Sequence, residues 1–323
     1  MNTLVNISYN QAIFITLFSA FLWGTWPISQ KFLNRYPMKA FFLEVFFFSL
    51  IFVWLLSFIV KKNALIEEIQ QVFLLNPSLV IVTGVCGFLF SVSMILNFYI
   101  ISLIGLTISQ PIQQTIGLLV GATFTVVIGG TPPNLSIIRL IICLSLLIFS
   151  IFFAYLSHKS KQKVSNKDVK FHRIILLSVL GSAVGSSYAF SISYSLKTIL
   201  NPNGLSVLSF TSIFVLGAFI FMLILNLIKP PKDGLFKTIK NANYKIHLLS
   251  LIAALFHYGG NMLHCLSTGL LSAVVSWPLG LTSGLWTQLG GFLLGEFKKA
   301  KKSSYVFWAL SIIFYIIGAR III

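Results

Sequence analysis

Acidic residues are scarce in this sequence: only six of its 323 residues are Asp or Glu, and charged residues of both signs make up 9%. Soluble globular domains usually contain about 25% charged residues, because their surfaces face water. Hydrophobic residues instead make up 57% of the chain, and its mean hydropathy is +0.94. These proportions exclude an ordinary soluble globule and predict an all-α protein that crosses a membrane several times.

Cysteine is also rare, and its placement gives no sign of a disulfide framework. Cys86, Cys143 and Cys265 all lie inside apolar stretches, where cysteine behaves as a small hydrophobic residue. The first ten residues contain no Lys or Arg, so a cleavable signal peptide is not expected. We expect the first apolar stretch to act as its own insertion signal.

Basic residues far outnumber the acids. The formal net charge is +17, from 23 Lys and Arg. A charge of this size can indicate nucleic-acid binding. These residues, however, lie mostly in short segments between apolar runs, where Lys and Arg are typical of loops that stay in the cytoplasm. The pattern favours a topology signal and predicts no nucleic-acid partner.

Long apolar runs dominate the chain. Each has about 20 residues, which is enough to cross a hydrocarbon core about 30 Å thick. Ten such spans are predicted, near residues 11–33, 38–60, 78–103, 107–129, 137–156, 174–196, 205–228, 246–268, 271–295 and 304–323. The predicted fold is therefore a bundle of ten transmembrane helices.

Two stretches of the chain resemble each other. Ser109–Gly129 and Ser276–Glu296 stand 167 positions apart, and five of their first ten aligned residues are identical. Each has a Pro near its start and several Gly, as in the broken helices that line transport pathways. We predict two five-helix repeats, 1–157 and 174–323, joined by a basic connector, 158–173. Because each repeat has an odd number of spans, the two would be inverted relative to each other.

The distribution of Lys and Arg predicts the orientation. The connectors that follow the odd-numbered spans hold 18 of the 23 basic residues. Short loops that are translocated across the membrane are depleted in Lys and Arg. These connectors, including the central one, are therefore expected in the cytoplasm of a plasma or inner membrane, with both termini outside.

A single acid, Glu44, lies within an apolar run. It follows Pro37 by seven residues, roughly 10 Å along a helix. An ionisable group at such a depth is costly and usually functional, so Glu44 is a candidate for a coupling proton site or a substrate hydrogen-bond acceptor. The alternative is a carboxylate that reaches the interface or pairs with Lys39 or Arg35.

Polar residues recur at steps of 4, 3 and 4 in the eighth predicted span: His257, Asn261, His264 and Thr268. This spacing places them on one helix face, which must turn away from lipid. They would line a substrate site or make hydrogen bonds between helices. Two His without a third ligand are a weak zinc signal, so no metal is expected.

Further polar and aromatic side chains complete the predicted site. Gln110, Gln114 and Asn97 carry neutral amides, which suit an uncharged or weakly polar solute. Trp26 and Trp277 would stack on a planar or sugar-like ligand, or anchor the protein at the membrane interface. The predicted substrate-binding residues are Trp26, Asn97, Gln110, Gln114, His257, Asn261, His264 and Trp277.

The sequence resembles the ten-helix branch of the drug/metabolite transporter superfamily, most closely the ureide permeases and their sugar-uptake relatives. The resemblance is carried by Gly24-Thr25-Trp26-Pro27, by Glu44 within FFLEVFFF, by Gly105-Leu106-Thr107 and by Gly295-Glu296. It implies import or exchange of a small polar metabolite, such as a ureide, nucleobase or sugar, driven by a proton gradient.

Together these features predict a secondary active transporter of a small polar metabolite, coupled to protons through Glu44. An exporter of amphipathic compounds from the same superfamily is the alternative. An enzyme is not expected, because the apolar runs contain no paired acids, nucleophile–base pair or metal set. The expected partners are a small-molecule substrate and membrane lipid, without a cofactor, for a protein that is a monomer or a homodimer.

Overall fold

The computed structural model describes residues 7–130, 136–162, 171–298 and 300–322. In these ranges the chain is helical and has no strand, only an isolated bridge between Leu196 and Leu205. A 3-10 helix, Trp26–Phe32, directly continues the first α-helix. The α-helices are α1 (Tyr9–Thr25), α2 (Met38–Lys61), α3 (Ala64–Leu75), α4 (Pro77–Ile104), α5 (Leu106–Gly129), α6 (Ile137–Gln162), α7 (Phe171–Gly185), α8 (Ser187–Tyr194), α9 (Val207–Ile228), α10 (Leu235–Lys240), α11 (Tyr244–Leu271), α12 (Ala273–Gly280), α13 (Ser283–Leu293) and α14 (Lys302–Ile322).

Among the described residues, eight helical segments are long and apolar enough to cross a bilayer; they correspond to the first eight predicted spans. The ninth predicted span, 271–295, is instead divided into α12 and α13, of 8 and 11 residues. The tenth corresponds to α14, whose apolar part, Lys302–Gly318, is shorter. The protein is therefore a multi-pass helical membrane protein, and ten spans stay a prediction.

The predicted central connector, 158–173, is shorter in the structure than in the sequence analysis. α6 continues to Gln162, and α7 already begins at Phe171. Residues 163–170 of the connector lie outside the described residues. The helices on both sides therefore extend into the predicted connector, and the division into two halves stays a prediction.

Two short helices in connectors, α3 and α10, were not expected from the hydropathy pattern. Only Leu65 of α3 is buried, so this helix lies on the surface of the bundle. The Glu68 carboxylate accepts hydrogen bonds from the Ser206 N–H (2.8 Å) and the Ser209 hydroxyl (2.9 Å) where α9 begins, and it pairs with Lys61. Burial raises the pKa of Glu68, but the hydrogen bonds from Lys61 and Ser206 outweigh it and lower the pKa below 4.5.

Two long helices have equal lengths and stand at the offset that separates the two similar stretches of sequence. α4 and α11 have 28 residues each and begin 167 positions apart, at Pro77 and Tyr244. Each is followed by one residue with positive φ, Gly105 (85°) or Ser272 (66°), and then by a new helix. The contacts of these two helices correspond as well. α4 packs on α7 and α9, and α11 packs on α1 and α2.

Glycine allows α4 and α9 to cross with their backbones in contact. An added Cβ at Gly217 would overlap the carbonyl oxygen of Gly84, and one at Gly87 would overlap that of Phe214. Small residues at such crossings are typical of membrane helices, because lipid tails are as apolar as side chains and close packing supplies the attraction. The main hydrophobic core extends from this crossing to α2, α8 and α11.

Replacement of Gly217 by Ala is expected to destabilise the protein by about 1–3 kcal/mol, because the methyl group forces α4 and α9 apart. The measurement is the midpoint of thermal unfolding in detergent. Gly84→Ala is the matched control, since its methyl group would meet only Ile213 Cγ2 at 3.8 Å, an ordinary contact. Equal midpoints for the two variants would contradict this account of the crossing.

Candidate functional site

A cavity of about 130 Å³ lies among the helices, and we call it the aromatic cavity. Its walls come from α1 and the 3-10 helix, α4, α5, α7, α8, α11, α12 and α13, and thus from both predicted halves. Among the residues that the structure describes, no charged side chain lines it. Its lining includes Trp23, Trp26, Phe90, Ser93, Asn97, Phe98, Gln110, Gln113, Gln114, Gly117, Ser182, Ser186, Tyr188, His257, Trp277 and Ser283.

A column of stacked rings forms one wall of the aromatic cavity. The Trp26 ring stacks on Phe98, with 4.7 Å between centroids, and on the His257 imidazole at 4.5 Å. His257 also stacks on Phe90 at 5.7 Å. Nδ1 of His257 is buried and has no hydrogen-bond partner in the described residues. The column therefore combines flat apolar faces with an unused polar atom.

Amide side chains form another wall. The Gln114 Nε2 group donates to Gln110 Oε1 at 3.2 Å, and Gln113 Nε2 donates to the Asn97 carbonyl oxygen at 3.1 Å. The side-chain amide of Asn97 donates to Ser93 Oγ at 3.2 Å, which fixes its orientation. Asn97 Oδ1 is then left buried without a partner among the described residues. A buried acceptor of this kind is costly unless a ligand or water supplies a donor.

The two similar stretches meet beside the aromatic cavity. Pro111 in α5 and Pro278 in α12 are both buried, and α12 packs on α5. The Trp277 Nε1 group donates to the Gly117 carbonyl oxygen at 3.3 Å, and its ring occupies the space that a side chain at Gly121 would need. Trp277, like Trp26, is buried in the protein and lines the cavity.

Two predicted site residues, Asn261 and His264, lie behind the lining. Asn261 Oδ1 accepts a hydrogen bond from Trp23 Nε1 at 2.7 Å. His264 is hydrogen-bonded through Nδ1 to the Tyr188 hydroxyl and through Nε2 to the Ser276 carbonyl oxygen, both at 3.1 Å. Trp23 and Tyr188 do line the cavity. Asn261 and His264 thus make contacts between helices and orient lining residues, whereas His257 itself faces the cavity.

The sixth predicted span forms α7 and α8, and it contributes lining residues that are not among the predicted substrate-binding residues. Ser182, Ser186 and Tyr188 line the aromatic cavity, and Ser182 Oγ donates to the Gln113 carbonyl oxygen at 3.1 Å. The signal was the hydroxyl-rich run Ser186-Ser187-Tyr188 close to Gly181 and Gly185 in an apolar span. Such a run can indicate either close helix packing or a polar cavity.

Glu44 is buried but does not line the aromatic cavity. One carboxylate oxygen accepts a hydrogen bond from the Tyr36 hydroxyl, and the other lies 2.8 Å from His247 Nδ1. The structure shows no bond from Arg35 or Lys39, and Lys39 Nζ instead donates to the Lys229 carbonyl oxygen. Burial, and then the nearby Glu44 carboxylate, raise the pKa of Tyr36 above its ordinary value of 10.0.

No family model and no curated protein sequence matches this chain. Solved structures do match it. One of them, a crystal structure of a protein, aligns over 97% of this chain and 96% of its own length, with a TM-score of 0.62 and 12% sequence identity. The likeness shows a shared fold. At this level of identity it carries no information about function.

The aromatic cavity has the features of a binding site for a small uncharged molecule. Its rings offer stacking surfaces, and Asn97, Gln110 and Gln114 add neutral amides to its lining. A charged solute would lose its hydration without meeting a counter-ion among the lining residues. Within the described residues, no group of three or more His, Cys, Asp and Glu lies close enough to hold a metal ion.

Proposed function

We propose that this protein is a secondary transporter that moves a small, uncharged polar metabolite across the membrane by alternating access. The observation that carries the proposal is a cavity among the helices that no charged side chain of the described residues lines and that helices from both predicted halves enclose. Transporters commonly bind their solute between two repeats of helices, one of which rocks against the other. A ureide, nucleobase or sugar-like compound has the size and polarity that such a cavity favours.

The inverted-repeat arrangement is part of this proposal. Two observations support it: α4 and α11 begin at a constant offset, and the packing partners of the two predicted halves correspond. In such an architecture the two halves have opposite orientations in the membrane. When each half adopts the conformation of the other, the cavity closes on one side of the membrane and opens on the other. The excess of Lys and Arg supports a cytoplasmic position for the central connector, 158–173, with both termini outside.

A binding screen followed by an uptake assay tests the proposal. The thermal unfolding midpoint of the purified protein is measured with a panel of ureides, nucleobases, sugars, amino acids and organic acids. A compound that binds only the folded state raises the midpoint by mass action. We expect stabilisation by a neutral compound, which liposomes containing the protein then accumulate. Stabilisation by charged compounds alone would contradict the proposed neutral solute.

An exporter of amphipathic compounds is the second candidate, because the aromatic wall of the cavity would also serve a larger apolar ligand. The direction of flux in cells separates the two. An importer raises the internal level of the labelled compound, whereas an exporter lowers it and increases resistance when the compound is toxic.

Proton coupling through Glu44 is the last part of the proposal. Glu44→Gln is expected to abolish uptake driven by a proton gradient in liposomes while it preserves exchange of solute without a gradient. The reason is that Gln can accept the Tyr36 hydrogen bond but cannot take up a proton. Glu67→Gln removes an exposed acid and is the matched control. If gradient-driven uptake survives in Glu44→Gln, Glu44 does not couple transport to protons.

A further inference from the structure

A second cavity, of about 670 Å³, lies where two helices begin, and we call it the basic cavity. One wall is the segment 32–37, which leads into α2. The other wall comprises 241–243, which lead into α11, and several residues of the first turns of that helix. Because both walls stand at the ends of membrane-spanning helices, this cavity lies towards the membrane surface and apart from the aromatic cavity.

Two cations line the basic cavity, Arg35 and Lys245. Both side chains are exposed, and neither forms an ion pair with a residue that the structure describes. No Asp or Glu lines this cavity among the described residues. The nearest buried acid, Glu44, has both oxygens occupied by Tyr36 and His247. The local charge is therefore positive and uncompensated.

The backbone adds to this positive potential. α2 begins at Met38 and α11 begins at Tyr244, each one residue beyond a segment that lines the cavity. The helix dipole makes such helix starts favourable to anions. The first N–H groups of α2 have no side-chain cap, whereas at α11 the Asn243 side chain already accepts a hydrogen bond from the Lys245 N–H at 3.0 Å. Arg35 and Lys245 each stand within the same few residues of a helix start, so side chains and backbone attract the same charge.

Apolar side chains complete the basic cavity. Phe32, Leu33, Ile246 and Leu249 line it together with the cations. A fully hydrated inorganic ion gains nothing from such a wall, whereas a group that carries both a phosphate and hydrocarbon matches both parts. The connectors that the sequence predicts on this face also contain most of the Lys and Arg of the chain, as is typical of the cytoplasmic surface, where anionic lipids are found.

We propose that the basic cavity binds a phosphate-bearing anionic group, supplied by a membrane phospholipid or by a soluble phosphate ester. The phosphate lies between Arg35 and Lys245, and the hydrocarbon part lies along Phe32 and Leu249. The occupied cavity joins the segment before α2 to the start of α11, beside the contact of Tyr36 and His247 with Glu44. This proposal does not depend on the proposed transport activity.

Thermal unfolding of the full-length purified protein in neutral detergent tests the proposal. Three probes are compared at equal concentration: phosphatidylglycerol, phosphatidylcholine and soluble glycerol phosphate. The test variant is Arg35→Gln/Lys245→Gln, with Lys245→Gln alone as a milder change. The control is Lys237→Gln/Lys240→Gln, which removes two exposed cations from the nearby α10 without touching the cavity lining.

We expect phosphatidylglycerol, but not phosphatidylcholine, to raise the unfolding midpoint of the unaltered protein and of the control. In the test variant the affinity should fall by roughly tenfold or more, because each Lys or Arg near anionic lipid contributes about fivefold. Stabilisation by glycerol phosphate as well would identify a soluble ester as sufficient. Equal loss in the test variant and the control, or no stabilisation by either phosphate-bearing anion, would overturn the proposal.

Discussion

Replacement of Gly117 by Leu is expected to abolish solute binding and uptake while the protein stays folded. Gly117 lines the aromatic cavity, and an added Cβ there meets no atom within 4 Å. The larger side chain would extend into this cavity of about 130 Å³ and occupy space that the solute needs. Leu also favours a helix by about 0.8 kcal/mol relative to Gly, so α5 should not be weakened.

The measurement compares the unfolding midpoint with and without the compound that stabilises the unaltered protein most strongly in the panel. We expect no ligand-dependent shift for Gly117→Leu and no uptake of that compound into liposomes. Gly259→Leu is the matched control, because Gly259 is on α11, does not line the cavity, and an added Cβ there would meet only Leu22 Cδ1 at 4.0 Å, an ordinary contact. Unchanged uptake in Gly117→Leu would show that solute does not pass through the aromatic cavity.

Replacement of Glu296 by Gln is expected to destabilise the protein by about 2–3 kcal/mol. The carboxylate accepts hydrogen bonds from the backbone N–H groups of Leu106 (2.8 Å) and Thr107 (2.9 Å) at the start of α5. Lys31 Nζ lies 2.7 Å from it. Because the Lys31 side chain is 36% exposed, water screens part of this attraction. We therefore expect a smaller loss of stability than for a fully buried ion pair.

The effect of Glu296→Gln should depend on pH. Burial raises the pKa of Glu296, but hydrogen bonds from Lys31 and Thr107 outweigh it and hold the pKa below its ordinary value of 4.5. The stabilisation is therefore fully present above about pH 4.5 and is lost as the pH falls through the lower pKa of the folded state. The difference in midpoint between the unaltered protein and Glu296→Gln should narrow in acid. Glu67→Gln, which removes an exposed acid, should show a small difference at every pH.

Glu296 also joins two segments that are far apart in the sequence. Gly105-Leu106-Thr107 and Gly295-Glu296 are separate in the chain, yet the carboxylate of Glu296 reaches the backbone at the start of α5. The positive φ of Gly105, 85°, lets the chain turn there, and a side chain at this position would meet the carboxylate. The pairing gives a physical reason for these residue types at these positions.

The helices could be predicted where they are long and uniformly apolar. Hydropathy summed over about 20 residues is enough to detect a membrane span. The helices α2, α4, α5, α9 and α11 therefore begin and end close to the predicted bounds. α3 and α10 were not predicted, because short surface helices do not produce a long window of high hydropathy. The interruption between α12 and α13 was also not predicted, because Gly280 and Thr282 hardly lower the mean hydropathy of the segment.

The candidate site was predictable to the extent that its residues are polar in apolar surroundings. Gln110, Gln114, Asn97 and His257 were found in this way, and they line one cavity. The same pattern did not distinguish His257 from Asn261 and His264, because all three share one helix face and differ only in what packs against them. The sequence alone did not distinguish Tyr188 from the other aromatic residues of the predicted spans.

By itself, the sequence determined that this protein is helical and lies in a membrane, because hydropathy and charge act locally along the chain. Only the tertiary structure decided which polar groups meet. Glu44 and His247 are 203 positions apart, and Glu296 and Thr107 are 189 apart. Such contacts depend on how the whole bundle packs. A buried polar group must be hydrogen-bonded, and the packing of the neighbouring helices determines which partners are within reach.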